Sequence, residues 1–162
     1  MTSKHLNPRG FSSLELICCI SIVSIVLYTG LLNYPEFRRS FNQSNVYTQL
    51  QQDLRRAKNE ALQKGAMVYL SPGAGSNSYS VGVDYLPYNG DGSVDEHIFA
   101  RSFPTGFTAN FSSDVVFDSR GAIKNDWGGY GFVSIHLTND TGNAFAWGFV
   151  YGAGMIQMYG YH

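Results

Sequence analysis

The sequence is poor in charged residues and in cysteine. Asp, Glu, Lys and Arg make up 14% of the 162 residues, and the two cysteines, Cys18 and Cys19, are neighbours. Adjacent cysteines inside an apolar run act as small apolar residues, so an exported part of the chain would have no disulfide to stabilise it. The aromatic content of 15% and the 18 glycines favour a turn-rich and sheet-rich ordered part.

Motifs for catalysis are also missing. His97 and His136 have no partners at a spacing typical of a catalytic or metal-binding set, and nothing resembles a nucleophile elbow. We therefore predict that the protein is not an enzyme.

Charge is distributed unevenly along the chain. The segment from Glu36 to Lys64 carries a net charge of +3, whereas the sequence from Gly65 onward carries −5. An acidic C-terminal part argues against a nucleic-acid partner. We interpret the basic residues of the first segment as a solvated helix face rather than a binding patch: Arg38, Arg39, Arg55, Arg56, Lys58 and Lys64.

A long apolar run stands near the N-terminus. The nineteen residues from Leu14 to Leu32 contain one charged residue, Glu15, and this length is about enough to cross a hydrocarbon core of roughly 30 Å. A conventional secretory signal would place its cleavage site after the apolar core. A lipoprotein signal would need small residues before Cys18 or Cys19, where Leu16 and Ile17 stand instead. One membrane span is the natural interpretation.

The start of this run resembles a known processing signal. Arg9-Gly10-Phe11, Glu15 as the fifth residue from Phe11, and the unbroken apolar stretch are similar to the class III signal of type IV pilins and type II secretion pseudopilins. The resemblance implies that a prepilin peptidase cuts between Gly10 and Phe11 on the cytoplasmic side and methylates the amine of Phe11. Ser13 and Leu14 depart from the more apolar pair that is common in the family.

Glu15 is the candidate assembly residue. A carboxylate near a membrane core costs a few kcal/mol or more unless it is paired. Cleavage before Phe11 would create an amine, and the amine of one subunit would neutralise Glu15 of a neighbour and fix their axial register. The alternative is that Glu15 reaches the lipid headgroups.

Basic residues do not decide the orientation, because Arg38 and Arg39 after the span rival Lys4 and Arg9 before it. The resemblance decides it, since the peptidase works from the cytoplasm. It implies a single-pass inner-membrane protein with a periplasmic head. Its implied partners are other pilins or pseudopilins, prepilin peptidase, membrane lipid, and an inner-membrane assembly platform with its ATPase.

A helical pattern continues beyond the span. Tyr47, Leu50, Leu54, Ala57 and Ala61 share one helix face. We predict one long helix from 14 to 64, ended by Gly65 and bent by a kink or local melting near residues 30 to 35, where Gly30 and Pro35 stand.

The sequence after the helix predicts short strands separated by turns. We predict strands over 66–70, 78–83, 97–103, 107–111, 114–117, 131–137, 144–151 and 155–159. In the seventh, Phe145, Trp147, Phe149 and Tyr151 are predicted to share one face. The fold class is therefore α+β and pilin-like, with a long N-terminal helix packed on an antiparallel β-sheet head. We expect a leader over 1–10, a transmembrane helix over 11–32, an amphipathic continuation over 33–65 and a β-rich head over 66–162.

The head resembles one subgroup. The stretch "LQQDLRRAKNEALQKGAMVYL" and the closing "FAWGFVYGAGMIQMY" are similar to the GspH/FimT/FimU group of minor pseudopilins and minor pilins. Some DNA-uptake members end in a Gly-Arg-x-Arg hairpin. Gly154, Met155, Ile156 and Gln157 stand at the matching positions, so phosphate contacts are hard to supply there.

One acidic, glycine-rich turn has two interpretations. Asp84, Asn89, Asp91 and Asp95 are candidate oxygen ligands for calcium, but the pattern is incomplete because Pro87 and Ile98 stand where carboxylates are wanted. We favour a plain tight turn, and we predict no other cofactor.

Two classes of function remain. The favoured one is a GspH-like minor pseudopilin of the type II secretion pseudopilus, with a type IV pilus minor pilin as the alternative system. The other class is a membrane-tethered binding module.

Overall fold

The structure is a computed structural model that describes residues 12–85, 94–124 and 131–160, apart from the side chains of residues 32 and 33. The chain divides into two compact units, Met1–Ser40 and Phe41–His162. Each unit is described by itself below.

The first unit holds the beginning of helix α1, which spans Ser13–Lys64. The Ser12 hydroxyl accepts a hydrogen bond from the Leu14 backbone N–H at 3.3 Å, and the Ser12 carbonyl accepts one from the Leu16 N–H. A serine that bonds a backbone N–H of the first turn is a common helix start, because these N–H groups have no partner within the helix.

The helix continues without a break through Pro35. Of the two alternatives expected near residues 30 to 35, local melting is therefore wrong, and a kink stays a prediction. Proline removes one backbone hydrogen bond at a cost of about 3 kcal/mol, and the turns on both sides keep theirs, so the helix survives.

The second half of α1 forms one layer of the second unit. Leu50, Leu54, Ala57 and Ala61 are fully buried on one face of the helix, as the spacing predicts. The helix ends at Gly65, whose φ of +62° is the left-handed conformation that terminates helices and that glycine adopts without strain.

A five-stranded antiparallel sheet follows the helix. Its strands are β1 (Met67–Pro72), β2 (Ser78–Asp84), β3 (Glu96–Ser102), β5 (Val115–Phe117) and β6 (Ile123–Lys124). Their order across the sheet is β3-β2-β1-β5-β6, and a 3₁₀ turn, Ala74–Ser76, lies between β1 and β2 in the chain.

A separate four-stranded antiparallel sheet consists of β4 (Phe107–Phe111), β7 (Phe132–Asn139), β8 (Ala144–Tyr151) and β9 (Met155–Gly160). Their order across the sheet is β4-β7-β8-β9. Side chains of α1 and of both sheets form one buried core, which includes Leu54, Phe117 and Ile135. The predicted α+β architecture, a long N-terminal helix packed on antiparallel sheet, is confirmed.

The predicted face of β8 is wrong at one residue. Trp147, Phe149 and Tyr151 lie on the half-exposed face, but Phe145 is buried together with Ala146. The cause is a bulge, because Leu137 pairs with Ala146 whereas Thr138 pairs with Ala144. An extra residue on one strand shifts the alternation and turns Phe145 into the core.

Polar contacts fasten the second half of α1 to the sheets. Asp53, a buried carboxylate, accepts a hydrogen bond from the Tyr79 hydroxyl at 2.6 Å and pairs with the Arg101 guanidinium at 3.0 Å. The Tyr47 hydroxyl donates to the Met158 carbonyl at 2.9 Å. The helix is thus attached to β2, β3 and β9.

Candidate assembly site

Glu15 lies in the first turn of α1. The free N–H groups of that turn give the helix start a partial positive charge, so a carboxylate here stabilises the helix by about 0.3–1 kcal/mol. The helix terminus offsets part of the negative charge of Glu15, and a nearby cation would neutralise the rest.

Large apolar side chains surround Glu15 and are exposed. Leu14 is 72% exposed, Leu16 55% and Ile17 62%. The segment Ser13–Leu31 is long and apolar enough to cross a membrane, by length and composition. An apolar surface of this extent needs lipid or neighbouring helices to cover it.

Three other polar side chains of the segment, all hydroxyls, are satisfied within the helix. The Ser21 and Ser24 hydroxyls donate to the carbonyls of Ile17 at 2.8 Å and Ile20 at 2.7 Å, and Thr29 bonds the Ile25 carbonyl at 3.1 Å. Such back-bonding lets hydroxyls enter an apolar environment at little cost.

Glu15 differs from these hydroxyls. Among residues 12–85, 94–124 and 131–160, no hydrogen bond or ion pair reaches its carboxylate. An apolar environment penalises an unpaired carboxylate strongly, so the arrangement calls for a cation from another source. Gly10 and Phe11, the predicted cleavage site, lie outside the described residues.

The calcium candidates are only partly described. Asp84 is buried at the end of β2, and exposed Asp95 accepts a hydrogen bond from the Tyr85 N–H at 2.8 Å. Asn89 and Asp91 lie outside the described residues. In the part of the chain that the structure describes, no three His, Cys, Asp or Glu side chains group as a metal site requires. Calcium binding stays an untested alternative.

An ion pair links the end of α1 to Glu96, the residue that follows Asp95. The Lys64 ammonium contacts the Glu96 carboxylate at 2.7 Å, and the Tyr85 hydroxyl donates to Glu96 at 2.6 Å. Lys64, and to a lesser degree Tyr85, lowers the pKa of Glu96. Glu96 is thus engaged in anchoring the end of α1 to the start of β3.

The basic face of α1 is not wholly solvated, so that interpretation is wrong in part. The Lys58 ammonium donates to the carbonyls of Ala153 and Gly154, at 3.1 and 3.0 Å. The Arg56 guanidinium lies 4.7 Å from the centre of the Phe99 ring. These cations fold back on the sheets because backbone carbonyls and an aromatic face lie within reach.

Sequence reasoning missed one surface. Trp147, Phe149 and Tyr151 of β8 lie beside Phe132 of β7 and Tyr159 of β9 on the outer side of the four-stranded sheet. The alternation within β8 was visible in the sequence. The pairing register that adds Phe132 and Tyr159 was not, because cross-strand neighbours are distant in the chain.

Comparisons with known proteins agree with this architecture. The sequence model of the family described as "Type II transport protein GspH" matches residues 47–148. No curated relative matches the chain by sequence.

Solved structures of a type IV minor pilin and of a minor pseudopilin are among those that are similar. The type IV minor pilin FimU of Pseudomonas aeruginosa has a TM-score of 0.59 and 15% identity, over 76% of this chain and 92% of that chain. The minor pseudopilin EpsH from the type 2 secretion system of Vibrio cholerae has a TM-score of 0.57 and 7% identity, over 74% of this chain and 96% of that chain. At these identities the likeness shows a common fold.

Proposed function

Because this chain belongs to the GspH family of pilin-like proteins, we propose that it is a minor pseudopilin, a structural subunit of the periplasmic pseudopilus of a type II secretion system. The observation that carries the proposal is Glu15, a carboxylate in an exposed apolar helix whose partner is not among the described residues. Such a helix suits packing beside other helices, and the residue suits a contact between subunits.

Processing completes the site in this proposal. Prepilin peptidase removes residues 1–10 by cutting between Gly10 and Phe11, and the new amine of Phe11 is methylated. Methylation keeps the positive charge of the amine, so the terminus of one subunit pairs with Glu15 of its neighbour. In a low-dielectric environment this pairing is selective, because a helix slipped along its axis leaves both charges unpaired.

The proposal includes a location. The length and composition of the apolar segment Ser13–Leu31 support a single membrane span. We propose that this membrane is the inner membrane and that the head lies in the periplasm, as the processing signal implies. In the proposed mechanism an inner-membrane assembly platform and its ATPase extract the subunit while the apolar helices of neighbouring subunits replace lipid around it. The role is mechanical, without catalysis by the chain.

One observation favours a second system, the type IV pilus. The likeness to a type IV minor pilin supports a place in pilus assembly, whereas the matched family model is that of a secretion protein. Deleting the gene and measuring protein secretion and surface piliation in the same cells separates the two systems, because each predicts loss of one activity alone.

Exchange of Glu15 tests the subunit role. We expect Glu15→Gln to lower secretion or piliation by about tenfold or more, since the variant cannot pair with the freed amine. Glu36→Gln, an exposed carboxylate on the same helix, is the matched control and should stay within about twofold of the original. Immunoblots of membranes should show both variants at normal levels.

The contrary results are equally specific. Normal assembly by Glu15→Gln, or intact residues 1–10 in mass spectra of chain from cells with active peptidase, would overturn the proposal. Normal assembly together with loss of a ligand-binding activity in head variants would instead support the tethered binding module.

A further inference from the structure

The outer side of the four-stranded sheet carries a continuous aromatic surface. We call it the outer aromatic face and define it by one set of side chains: Phe132, Trp147, Phe149, Tyr151, Met155 and Tyr159. Phe132 is 59% exposed, Met155 51% and Tyr159 44%. Large apolar side chains that are exposed together mark an interaction surface more often than isolated ones.

Strand register assembles this face from three strands. Tyr151 of β8 pairs with Phe132 of β7 on one side and with Met155 of β9 on the other. Four residues from Tyr151 along β8, Trp147 pairs with Tyr159. Phe149 lies between these rows, with its ring centre 5.0 Å from that of Phe132 and 4.9 Å from that of Trp147.

The face is uncharged. None of the side chains that point outward from the four described strands is Asp, Glu, Lys or Arg; the polar ones are Thr108, Asn110, Ser134, His136, Thr138 and Gln157. This combination, aromatic residues and Met without charges, is the composition of protein–protein interface cores. A highly charged partner surface would lose hydration here without gaining a counter-charge.

The arrangement of the rings favours a protein over a sugar or a nucleobase. Trp147 stacks on Tyr159, with ring centres 4.6 Å apart and planes 24° apart, and it meets Phe149 edge-to-face at 76°. Trp147 and Tyr159 therefore each have one ring face covered by the other. A ligand that stacks needs a ring face, of which this pair covers two, whereas a protein surface can also lie across ring edges.

The size of the face limits how it is used. Strands of five to eight residues, about 4.8 Å apart, give the four-stranded sheet an outer side of roughly 400 Å². A stable interface of standard size buries about 800 Å² on each partner. The face alone is too small for a stable dimer, but it suffices for a partner held beside it by another contact, because tethering raises the effective concentration.

We propose that the outer aromatic face docks the uncharged head surface of an adjacent pilin-like subunit in the assembled filament. This inference rests on the proposed function, since helix packing around Glu15 supplies the contact that holds the two heads together. In addition to the contacts between helices, it predicts a contact between heads, and it assigns that contact to the four-stranded sheet.

Site-specific photo-crosslinking tests the docking. The full-length chain, with p-benzoyl-phenylalanine in place of Tyr159, is expressed in cells that carry the native assembly system and its ATPase. We expect an adduct that mass spectrometry identifies as a pilin-like subunit, and we expect it to fall about tenfold when the ATPase is inactivated. The same crosslinker in place of Ile25, 64% exposed in the apolar helix, reports helix packing in parallel.

A matched pair of variants tests the chemistry of the face. The double variant Phe132→Thr and Met155→Thr removes its two most exposed apolar side chains, and Thr is well suited to strands. It should lower the Tyr159 adduct about tenfold with an unchanged thermal midpoint. Leu62→Thr removes an apolar side chain, 48% exposed on α1, and should change the adduct less than twofold.

The inference is wrong if position 159 gives no adduct, or gives an adduct with glycan or lipid alone. It is also wrong if the double variant leaves the adduct unchanged, or if a dimer forms through this face without the ATPase. If position 25 crosslinks to pilin-like subunits and position 159 does not, the docking is wrong and the subunit function stands. If position 25 also fails, the subunit function is wrong and the docking falls with it.

Discussion

The Tyr79 hydroxyl on β2 donates a 2.6 Å hydrogen bond to the carboxylate of Asp53 on α1, and both side chains are buried. Burial, followed by the neighbouring Asp53 carboxylate, raises the pKa of Tyr79, so the phenol stays a neutral donor. The Arg101 guanidinium contacts the same carboxylate oxygen at 3.0 Å. A charge on the core side of the helix is tolerated because two donors satisfy it.

Removing the Tyr79 hydroxyl tests this contact. Tyr79→Phe keeps the ring and leaves Asp53 with one donor fewer, so we expect a loss of about 1–3 kcal/mol in the free energy of unfolding. The measurement is urea unfolding of the full-length chain in detergent. The control is Tyr159→Phe, whose exposed hydroxyl bonds Gln157 and should cost less than about 0.5 kcal/mol. Equal losses in the two variants would contradict the proposed importance of Asp53.

Lys58 tests the attachment of α1 to the turn between β8 and β9. Lys58→Met keeps the apolar stem but leaves the Ala153 and Gly154 carbonyls without their ammonium donor, at a cost of about 1–2 kcal/mol. Arg55→Met, at an exposed position three residues earlier, should change stability by less than about 0.5 kcal/mol. Thermal unfolding followed by circular dichroism compares them, and a harmless Lys58→Met would show that the contact is not stabilising.

Two glycines of that turn allow a matched comparison. Gly154 and Gly152 both have positive φ, +71° and +56°, but a Cβ at Gly154 would overlap the Gly121 carbonyl, whereas a Cβ at Gly152 meets nothing within 4 Å. Gly152→Ala should cost about 1 kcal/mol from backbone strain alone. Gly154→Ala should cost at least about 2 kcal/mol more, because the clash adds to the strain. Similar midpoints in urea would contradict the close approach of the two turns.

Asp118 predicts a pH dependence of stability. Burial raises the pKa of this carboxyl, but the N–H groups of Ala122 and Arg120 and the Arg120 guanidinium outweigh burial and hold it below its ordinary value. The carboxylate therefore stabilises the fold above about pH 4, the ordinary pKa of Asp, and the stabilisation is lost as the pH falls through the lower, folded-state pKa.

Asp118→Asn should remove this dependence. We expect the variant to be about 1–2 kcal/mol less stable than the original at pH 7, with a difference that shrinks as the pH falls below 4. Urea unfolding at a series of pH values measures it. Asp114→Asn, an exposed carboxylate that accepts one bond from the Ser71 hydroxyl, is the control and should show a smaller change. A difference that grows toward low pH would reverse the sign and contradict the assignment.

Periodicity predicted much of this fold. The helix was expected over 14 to 64 and spans Ser13–Lys64, and the strands over 107–111 and 144–151 have the predicted bounds. The helix and β4 have regular patterns of buried residues, and β8 alternates regularly from Ala146 onward, so the sequence displays these elements directly. The short β6, Ile123–Lys124, was missed because two residues carry no period.

Features that depend on contacts between distant residues could not be predicted from the sequence. The division into two sheets and the inward turn of Phe145 depend on which strands pair and in which register, and pairing involves residues far apart in the chain. At the candidate site, Glu15 was recognisable because a lone carboxylate in an apolar run is costly. The roles of Lys58 and Asp53 were not, because a charged residue on an amphipathic helix gives no sign that a carbonyl or a tyrosine will meet it.

Tyr47, Asp53 and Lys58 attach three successive portions of α1 to β9, to β2 and to the β8–β9 turn. A pull directed along the helix axis therefore strains these attachments in parallel instead of opening them in sequence. Resistance to such a pull is set by the rate of unfolding rather than by equilibrium stability. These three attachments would therefore slow the unfolding of the head while it is pulled through its own helix. The proposed extraction from a bilayer would apply such a pull.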